Sequence, residues 1–480
     1  MACGLHGGAR GVRRAAAAIL LLVALGGARA DDAGTAPPPV TVGTVLRAYA
    51  EFRDKLESLA GWCDERRLFV ERSRAAEALL LFDPDHERAR DWLGFRRAKD
   101  GSWTRTEPPP AVDANKEALP EWTRRRDDLA APFRSRTATP VPRPMFRKAA
   151  ALRDRVNRAL VGLLPDDPVL RENNGETRVA GTWMLKESAA TAAGRRRMAD
   201  AVREARKAAA KLKPEYGREP DWVAVFGLGD LTVRSALPKS VSEEFARAVA
   251  GGRELLSRVL ETPLKPSGTI RVYAFADYWS HKRFLGARSD LSEEERKHDE
   301  NMSGYWIGSQ DLVLWYVDQP NRVDAAARLA ISAADTGLGR MYLASDWMGE
   351  GMGMYLTYAL VGTRLTVFVQ DTEYSDEAIG RESADPRSDW VALARRMVDT
   401  GHDPKIPIVV GTPLNSMTKD DGLMAYALAA YFLESRPEDA AKLVGLTQFG
   451  TTFHDALAMV CGLDAEGLQA RFIRWLHETK

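Results

Sequence analysis

Cysteine is scarce in this chain. Three residues, Cys3, Cys63 and Cys461, are spread over 480 positions, and no two form a C-x-x-C pair. That excludes a disulfide-dense scaffold and argues against cysteine-based zinc or redox chemistry. An excess of one charge is also lacking: 68 basic residues stand against 67 acidic ones, for a net charge of +1. A nucleic-acid binder would carry a strong basic surplus. With 38 Gly and 25 Pro, the chain is neither collagen-like nor of low complexity. No G-x-S-x-G, Walker loop or S-x-x-K nucleophile stands in a supporting context. Histidine is sparse too: beyond His6, the residues His86, His281, His298, His402, His454 and His477 include no two within three or four positions of each other. A lone histidine of this kind is read first as a surface or core residue.

What is present begins with an address. Arg10, Arg13 and Arg14 precede the apolar run Ala15 to Leu25, and Ala28-Arg29-Ala30 forms an A-x-A site before Asp31. The pattern is that of a secretory signal peptide, and the run is too short for a membrane-spanning helix. Its removal near Ala30 takes away four arginines and no acids, which moves the charge from +1 to −3. No later stretch reaches the length of a membrane span. The mature protein is expected to be exported, to the periplasm or the extracellular space. Cys63 and Cys461 sit in distant apolar helical patterns and read as buried free thiols, although export permits a disulfide.

The remaining length suggests two or three domains. Val40 to Leu81 reads as helical, with Leu56, Leu59, Cys63, Leu68, Ala75, Ala76, Leu79 and Leu80 at three- and four-residue spacing. A Pro-Asp turn at Pro84-Asp85, a short helix through Trp92, and a Gly101-Ser102-Trp103 turn follow. Similar residues recur downstream. Pro84, Asp85, Arg90, Gly94 and Arg97 match Pro165, Asp166, Arg171, Gly175 and Arg178 at an offset of 81, and Gly101 and Trp103 match Gly181 and Trp183 at 80. This reads as an internal repeat, and short helical repeats more often bind or scaffold than catalyse. Between the copies, Pro108-Pro109-Pro110, Pro120, Pro132, Pro140, Pro142 and Pro144 predict a loop or semi-rigid connector over 106–145. Glu187 to Lys213 reads as a polar, solvated connecting helix. The expected organisation is a signal peptide at 1–30, a helical region with the first copy at 31–105, the connector at 106–145, a helical region with the second copy at 146–215, and a further domain at 216–480.

In that last part, Trp222–Phe226, Leu231–Arg234 and Thr269–Phe275 read as strands, and Ser240 to Glu243 as a capping box opening a helix through Leu260. Tyr278 to Leu285 reads as helix. Tyr305-Trp306-Ile307 and Leu312 to Tyr316 read as a hairpin around Gly308-Ser309-Gln310-Asp311. Everything beyond reads as helix. The fold class is therefore α+β and mostly helical, a small sheet followed by a helical half and preceded by a helical repeat-like region.

Two segments focus the chemistry. Val323 to Thr336 is followed, after a loop, by Trp347-Met348-Gly349-Glu350-Gly351-Met352-Gly353-Met354-Tyr355. The order of elements and the Trp347…Glu350-Gly351…Tyr355 string resemble the peptidase-MA-like gluzincin domain of bacterial exported proteins. The tail is similar to that family's closing helices, through Tyr426, Tyr431, Phe432, Phe453, Phe472 and Trp475. The resemblance covers roughly Trp222 to the C-terminus. It implies a zinc site built on H-E-x-x-H, in which two histidines ligate the metal, the glutamate activates water, and a glutamate on the next helix is the third ligand. Glu350 matches that third ligand. The rest departs from the pattern. In one register the motif positions are Ser332, Ala333 and Thr336. In the other they are Ile331, Ser332 and Asp335. Neither register keeps an imidazole or a carboxylate base.

Zinc is therefore expected to be absent, and the resemblance implies a pseudoenzyme that binds or scaffolds peptides or cell-envelope proteins. The strand Leu312–Tyr316 is expected to border the cleft and to offer a main-chain edge to an extended peptide. One alternative is a hydrolase with a site rebuilt from Asp335, Glu350 and His402, in which two carboxylates suit Mg²⁺ or Ca²⁺ better than zinc. Another is an interaction protein acting through its N-terminal repeats. Trp347 and Tyr355 are candidate cleft residues that also read as core aromatics. Glu350 itself has a plain structural reading, a carboxyl hydrogen-bonded inside the helical half or facing solvent in the cleft. Facing helices are expected to carry Ser332/Thr336 and Glu350.

Overall fold

The structure, a computed structural model, describes residues 42–136, 146–217, 219–228, 231–260, 270–300, 304–307, 311–314, 346–362, 373–385, 387–448 and 450–479. The segment 1–30 read as a signal peptide and the positions Ile331, Ser332, Ala333, Asp335 and Thr336 lie outside these residues. No helix among the described residues is long and apolar enough to cross a membrane.

The helical periodicity of the first segment produces two helices rather than one. Helices α1 (Val42–Glu65) and α2 (Phe69–Leu80) are separated by a turn in which Arg67 takes a left-handed φ of 59°. Tyr49, Phe52, Leu56, Leu59 and Cys63 share the buried stripe of α1, the three- and four-residue spacing that one helical face requires. Both Cys63 and Cys461 are free thiols, and burial pushes each up to about 12.

After α3 (Glu87–Trp92) and the hairpin β1 (Phe95–Arg97) and β2 (Trp103–Arg105), the expected Pro-rich connector is partly a helix. Helix α4 runs from Leu119 to Arg136. Pro120 sits in its first turn, where a missing N–H costs nothing. Pro132 lies inside the helix, but Trp122, Leu129, Ala130 and Phe133 bury a continuous face. The Phe133 ring packs edge-on against Phe52 at 4.9 Å. Tertiary packing here outweighs the local preference of proline.

Helix α5 (Phe146–Leu163) leads to α6 (Pro168–Asn173) and the hairpin β3 (Glu176–Val179) and β4 (Thr182–Leu185). The two strings matched in the sequence have the same order of elements. Gly94 and Gly175 both take φ +78°, as only glycine does without strain. Arg90 Nε donates to the Pro84 carbonyl at 2.9 Å, and Arg171 Nε to the Pro165 carbonyl at 2.6 Å. They differ at one position. The Arg90 guanidinium lies over the Phe95 ring, whereas Arg171 pairs with the fully buried Glu176 at 2.6 Å.

The solvated connecting helix expected at 187–213 is a core element. Helix α7 (Lys186–Ala209) keeps its arginines outside but buries Thr191, Gly194, Met198, Val202, Ala205 and Ala209. Its apolar residues belong to one core that extends from Leu185 to Leu476.

The sheet that follows has the order β5-β6-β7-β8-β10-β9, with β5 (Pro214–Tyr216), β6 (Ala224–Leu228), β7 (Leu231–Ser235), β8 (Ile270–Ala274), β9 (Gly304–Ile307) and β10 (Asp311–Leu314). Strands β7, β8 and β10 are parallel neighbours, and the other pairs are antiparallel. Helix α8 (Lys239–Val259) crosses between β7 and β8. The expected capping box at Ser240 does not form. The helix starts two residues earlier, after Pro238, and Ser242 Oγ instead donates to the Leu237 carbonyl at 2.8 Å. Along β8, Ile270, Val272 and Ala274 enter the main core. Tyr273 and Phe275 face a second, aromatic cluster with Trp222 and Phe284 of α9 (Tyr278–Ala287). This alternation is the two-residue period of a strand buried on both faces. After β8 and α9 comes α10 (Glu293–Asp299).

The hairpin of β9 and β10 forms as expected, but β10 is not an edge. Leu312 pairs with Val272 on one side and Trp306 on the other. A strand paired on both sides has no free main-chain groups for a peptide. The parallel register with β8 takes them.

The helical half comprises α11 (Asp346–Val361), α12 (Glu377–Ser383), α13 (Trp390–Thr400), α14 (Ile406–Val409), α15 (Lys419–Ala430), a π-helical segment at Tyr431–Ser435, α16 (Pro437–Gln448), α17 (Phe453–Cys461) and α18 (Ala465–Glu478). Two glycines set its spacing. A Cβ on Gly351 would collide with the Ala425 carbonyl of α15, and one on Gly194 would land on the Glu434 carbonyl. Gly194→Ala is expected to cost roughly 3 kcal/mol or more, because both clashing groups are backbone. Gly162→Ala, at a helical site with nothing near, should gain about 0.5–1 kcal/mol. Thermal denaturation of the two variants beside the wild type checks the contrast.

Candidate functional site

Helix α11 carries the tryptophan-led string. It is apolar on nearly every side: Trp347, Met348, Met352, Met354 and Leu356 are all fully buried, so it is a core helix rather than an amphipathic one. Asp346 anchors its start, accepting a hydrogen bond from the Leu414 N–H at 2.7 Å. The Trp347 ring meets Phe453 edge-on at 5.1 Å.

Glu350 is fully enclosed in this setting, at 0% exposure. Neither carboxyl oxygen has a hydrogen-bond partner among the described residues. Burial alone pushes its pKa from 4.5 up to about 8. No charged neighbour among the described residues contributes, so the group is mostly a neutral acid at pH 7. Neither the hydrogen-bonded nor the solvent-facing carboxyl expected as the plain structural reading is thus found among the described residues.

Tyr355, one and a half turns further along the helix, is differently placed. Its hydroxyl donates to Glu434 Oε1 at 2.8 Å, and Arg195 Nε of α7 donates to Glu434 Oε2 at 2.8 Å. Burial drives the Tyr355 phenol well above 10, helped by the neighbouring carboxylate, while burial raises Glu434 despite Arg195. These three groups border a cavity of about 370 Å³, with the Tyr358 and Tyr426 rings. The arrangement holds Glu434, a buried carboxyl, between the half-exposed Arg195 and the Tyr355 hydroxyl.

His402 lies on the loop after α13, half exposed, 3.2 Å from Thr400 Oγ1 and 4.0 Å from Asp376. It is not among the partners of Glu350. The structure therefore does not bring together Glu350 and His402, two members of the rebuilt site, and Asp335 lies outside the described residues. His281 is a core residue against Phe275, and burial lowers it to about 4. His86 caps α3.

The fit of a zinc ion can be judged from the donors. Glu350 is a neutral carboxyl in an apolar enclosure. Ser332, Ala333 and Thr336 offer no imidazole. Among the described residues no three His, Cys, Asp or Glu side chains converge on one point. The residues present do not fit a catalytic zinc, which needs three protein ligands as a rule. No step through a metal is derived.

The residues that sequence reading missed are the charged partners of the core: Arg195 and Glu434, and the set Glu187, Arg436 and Arg471. Glu187 Oε1 is 3.1 Å from Arg471 and 3.4 Å from Arg436. The one available signal was Glu434 itself, an acid interrupting the apolar run from Leu423 to Leu433. Compared with known families, curated proteins and solved structures, the chain matches none.

A carboxyl raised by burial destabilises the fold as pH rises. Below about 4.5 Glu350 is protonated in both folded and unfolded chains. Between there and about 8 the unfolded chain releases the proton while the folded one keeps it, so stability falls across that window and levels off above it. The total is on the order of 4 kcal/mol. Glu350→Gln removes the titration. Its Tm should match the wild type near pH 4.5 and exceed it at pH 8, as thermal denaturation across that range reads directly.

Proposed function

We propose that this protein is an exported, catalytically degenerate relative of gluzincin peptidases that binds extended peptide rather than cutting it. The observation that carries this reading is Glu350. The carboxyl at the third-ligand position of the tryptophan-led string is enclosed, unpartnered among the described residues, and held neutral by burial. A neutral carboxyl is a poor metal ligand, and the motif's base position, Ala333 or Ser332, offers no general base. Two independent requirements of metallopeptidase catalysis fail together.

Peptide binding needs neither. Because β10 is interior, the edges of this sheet among the described strands are β5 and β9, and we assign strand addition to β9 at Gly304–Ile307, the partner of β10. An extended peptide would add there through main-chain hydrogen bonds. We read the two helix–hairpin units as a duplicated module. The second copy is committed to α18: Glu478 accepts from the Leu185 N–H at 2.9 Å, and Arg474 pairs with Glu176 at 2.7 Å. The first copy keeps its Arg96, Arg97 and Arg105 face exposed for a partner in the cell envelope.

The purified protein should hold no stoichiometric zinc by elemental analysis and should leave casein intact. A peptide selected from a display library should slow hydrogen exchange at residues 304–307. Stoichiometric zinc with chelator-sensitive cleavage would overturn the reading, as would a bound peptide that leaves that strand's exchange unchanged.

A further inference from the structure

A second cavity lies where α5, the turn before β3, α7, the start of α16 and the α17–α18 turn meet. Its volume of about 940 Å³ is at the top of the range of small-molecule sites. Unlike most such sites it is walled by charge, with five cations against four carboxylates.

The carboxylates are largely spent. Asp154 pairs with Arg158 at 2.8 Å, Asp439 with Arg436 at 2.7 Å, and Glu187 with Arg436 and Arg471. The cations are not. Arg153, Lys186 and Arg197 line the cavity and make no ion pair among the described residues. Three cations that line one cavity and are unpaired among the described residues favour an anion.

Two enclosed polar atoms refine the ligand's character. Asn157 is 94% buried in this wall, and its Oδ1 has no hydrogen-bond partner. Its Nδ2 donates to the Asn173 carbonyl at 3.3 Å, which fixes the amide the right way round and leaves Oδ1 as an acceptor. Arg471 Nε is likewise enclosed and unpartnered, although both of its terminal nitrogens are engaged. An unmade bond at a buried polar atom is costly, and each such atom calls for an occupant. Glu438, at the rim, has no cationic partner among the described residues. The wall thus asks for an anion and for an N–H donor.

We propose that this cavity binds a short peptide with a free C-terminal carboxylate, the carboxylate lying in the cationic lining that Arg153, Lys186 and Arg197 provide and Asn157 Oδ1 accepting from a peptide or terminal amine N–H. The proposal is independent of the edge-strand reading. Strand addition at β9 engages main-chain groups and does not distinguish a free C-terminus from a blocked one.

Calorimetric titration with tri-alanine, tri-alanine amide and inorganic phosphate tests it. Tri-alanine should bind, and the amide about tenfold or more weakly, since a charge-assisted bond is lost. Arg197→Gln, on the exposed rim, should weaken tri-alanine about tenfold without lowering Tm, and Arg153→Gln should do the same from the opposite wall. Absence of tri-alanine binding, equal binding of acid and amide, or phosphate binding tighter than tri-alanine would each overturn the proposal.

Discussion

The helical half of this protein depends on one close approach. The Glu434 carbonyl occupies the space where a side chain at residue 194 would be. That contact lets the π-helical segment lie directly against α7. It brings Arg195 within 2.8 Å of Glu434 and places Arg436 beside Glu187, so that both ends of the segment are tied to the same helix. A π-helical turn is an uncommon backbone state and often marks a functional position. Here its residues line two cavities, Glu434 the one with the tyrosines and Ser435 the one with cations unpaired among the described residues.

Around this seam the buried charges follow a rule, and one residue breaks it. Glu176, Glu187 and Glu434 are buried, and each is held by at least one arginine. Paired in this way, a carboxylate can remain ionised in the interior. Glu350 is as deeply buried and has no such partner among the described residues. Its proton replaces the missing cation. The contrast separates carboxyls that serve the architecture from one whose position in the sequence has no matching chemistry around it.

The first and second helix–hairpin units illustrate how one sequence pattern meets two environments. Arg90 and Arg171 make the same bond to a proline carbonyl. Their outer faces then meet an aromatic ring in one unit and a buried carboxylate in the other. Glu176 is tolerated because Arg474 of α18 approaches it as well. The second unit is thereby built into the body of the protein, while the first presents its arginines outward.

Much of the fold was legible from local pattern. The strands at 224–228, 231–235 and 270–274, the hairpin of β9 and β10, and the helices from Trp347 onward follow from side-chain period and turn residues, which act over a few positions. Three features were not legible. Helix α4 forms through a proline-rich stretch because Trp122 and Phe133 find a distant face on α1. Helix α7 looks solvated because its many arginines conceal a stripe of small residues whose value lies in permitting contact. Strand β10 looks like an edge because nothing in its own residues reveals that β8, some forty positions earlier, pairs with it. The candidate site divides in the same way. That Ser332, Ala333 and Thr336 cannot supply zinc donors is a matter of residue type, and the sequence alone decides it. That Glu350 is enclosed and neutral, that Tyr355 shares Glu434 with Arg195, and that cations unpaired among the described residues line one cavity with Asn157 required the tertiary structure, because burial and charge pairing are set by residues far apart in the chain.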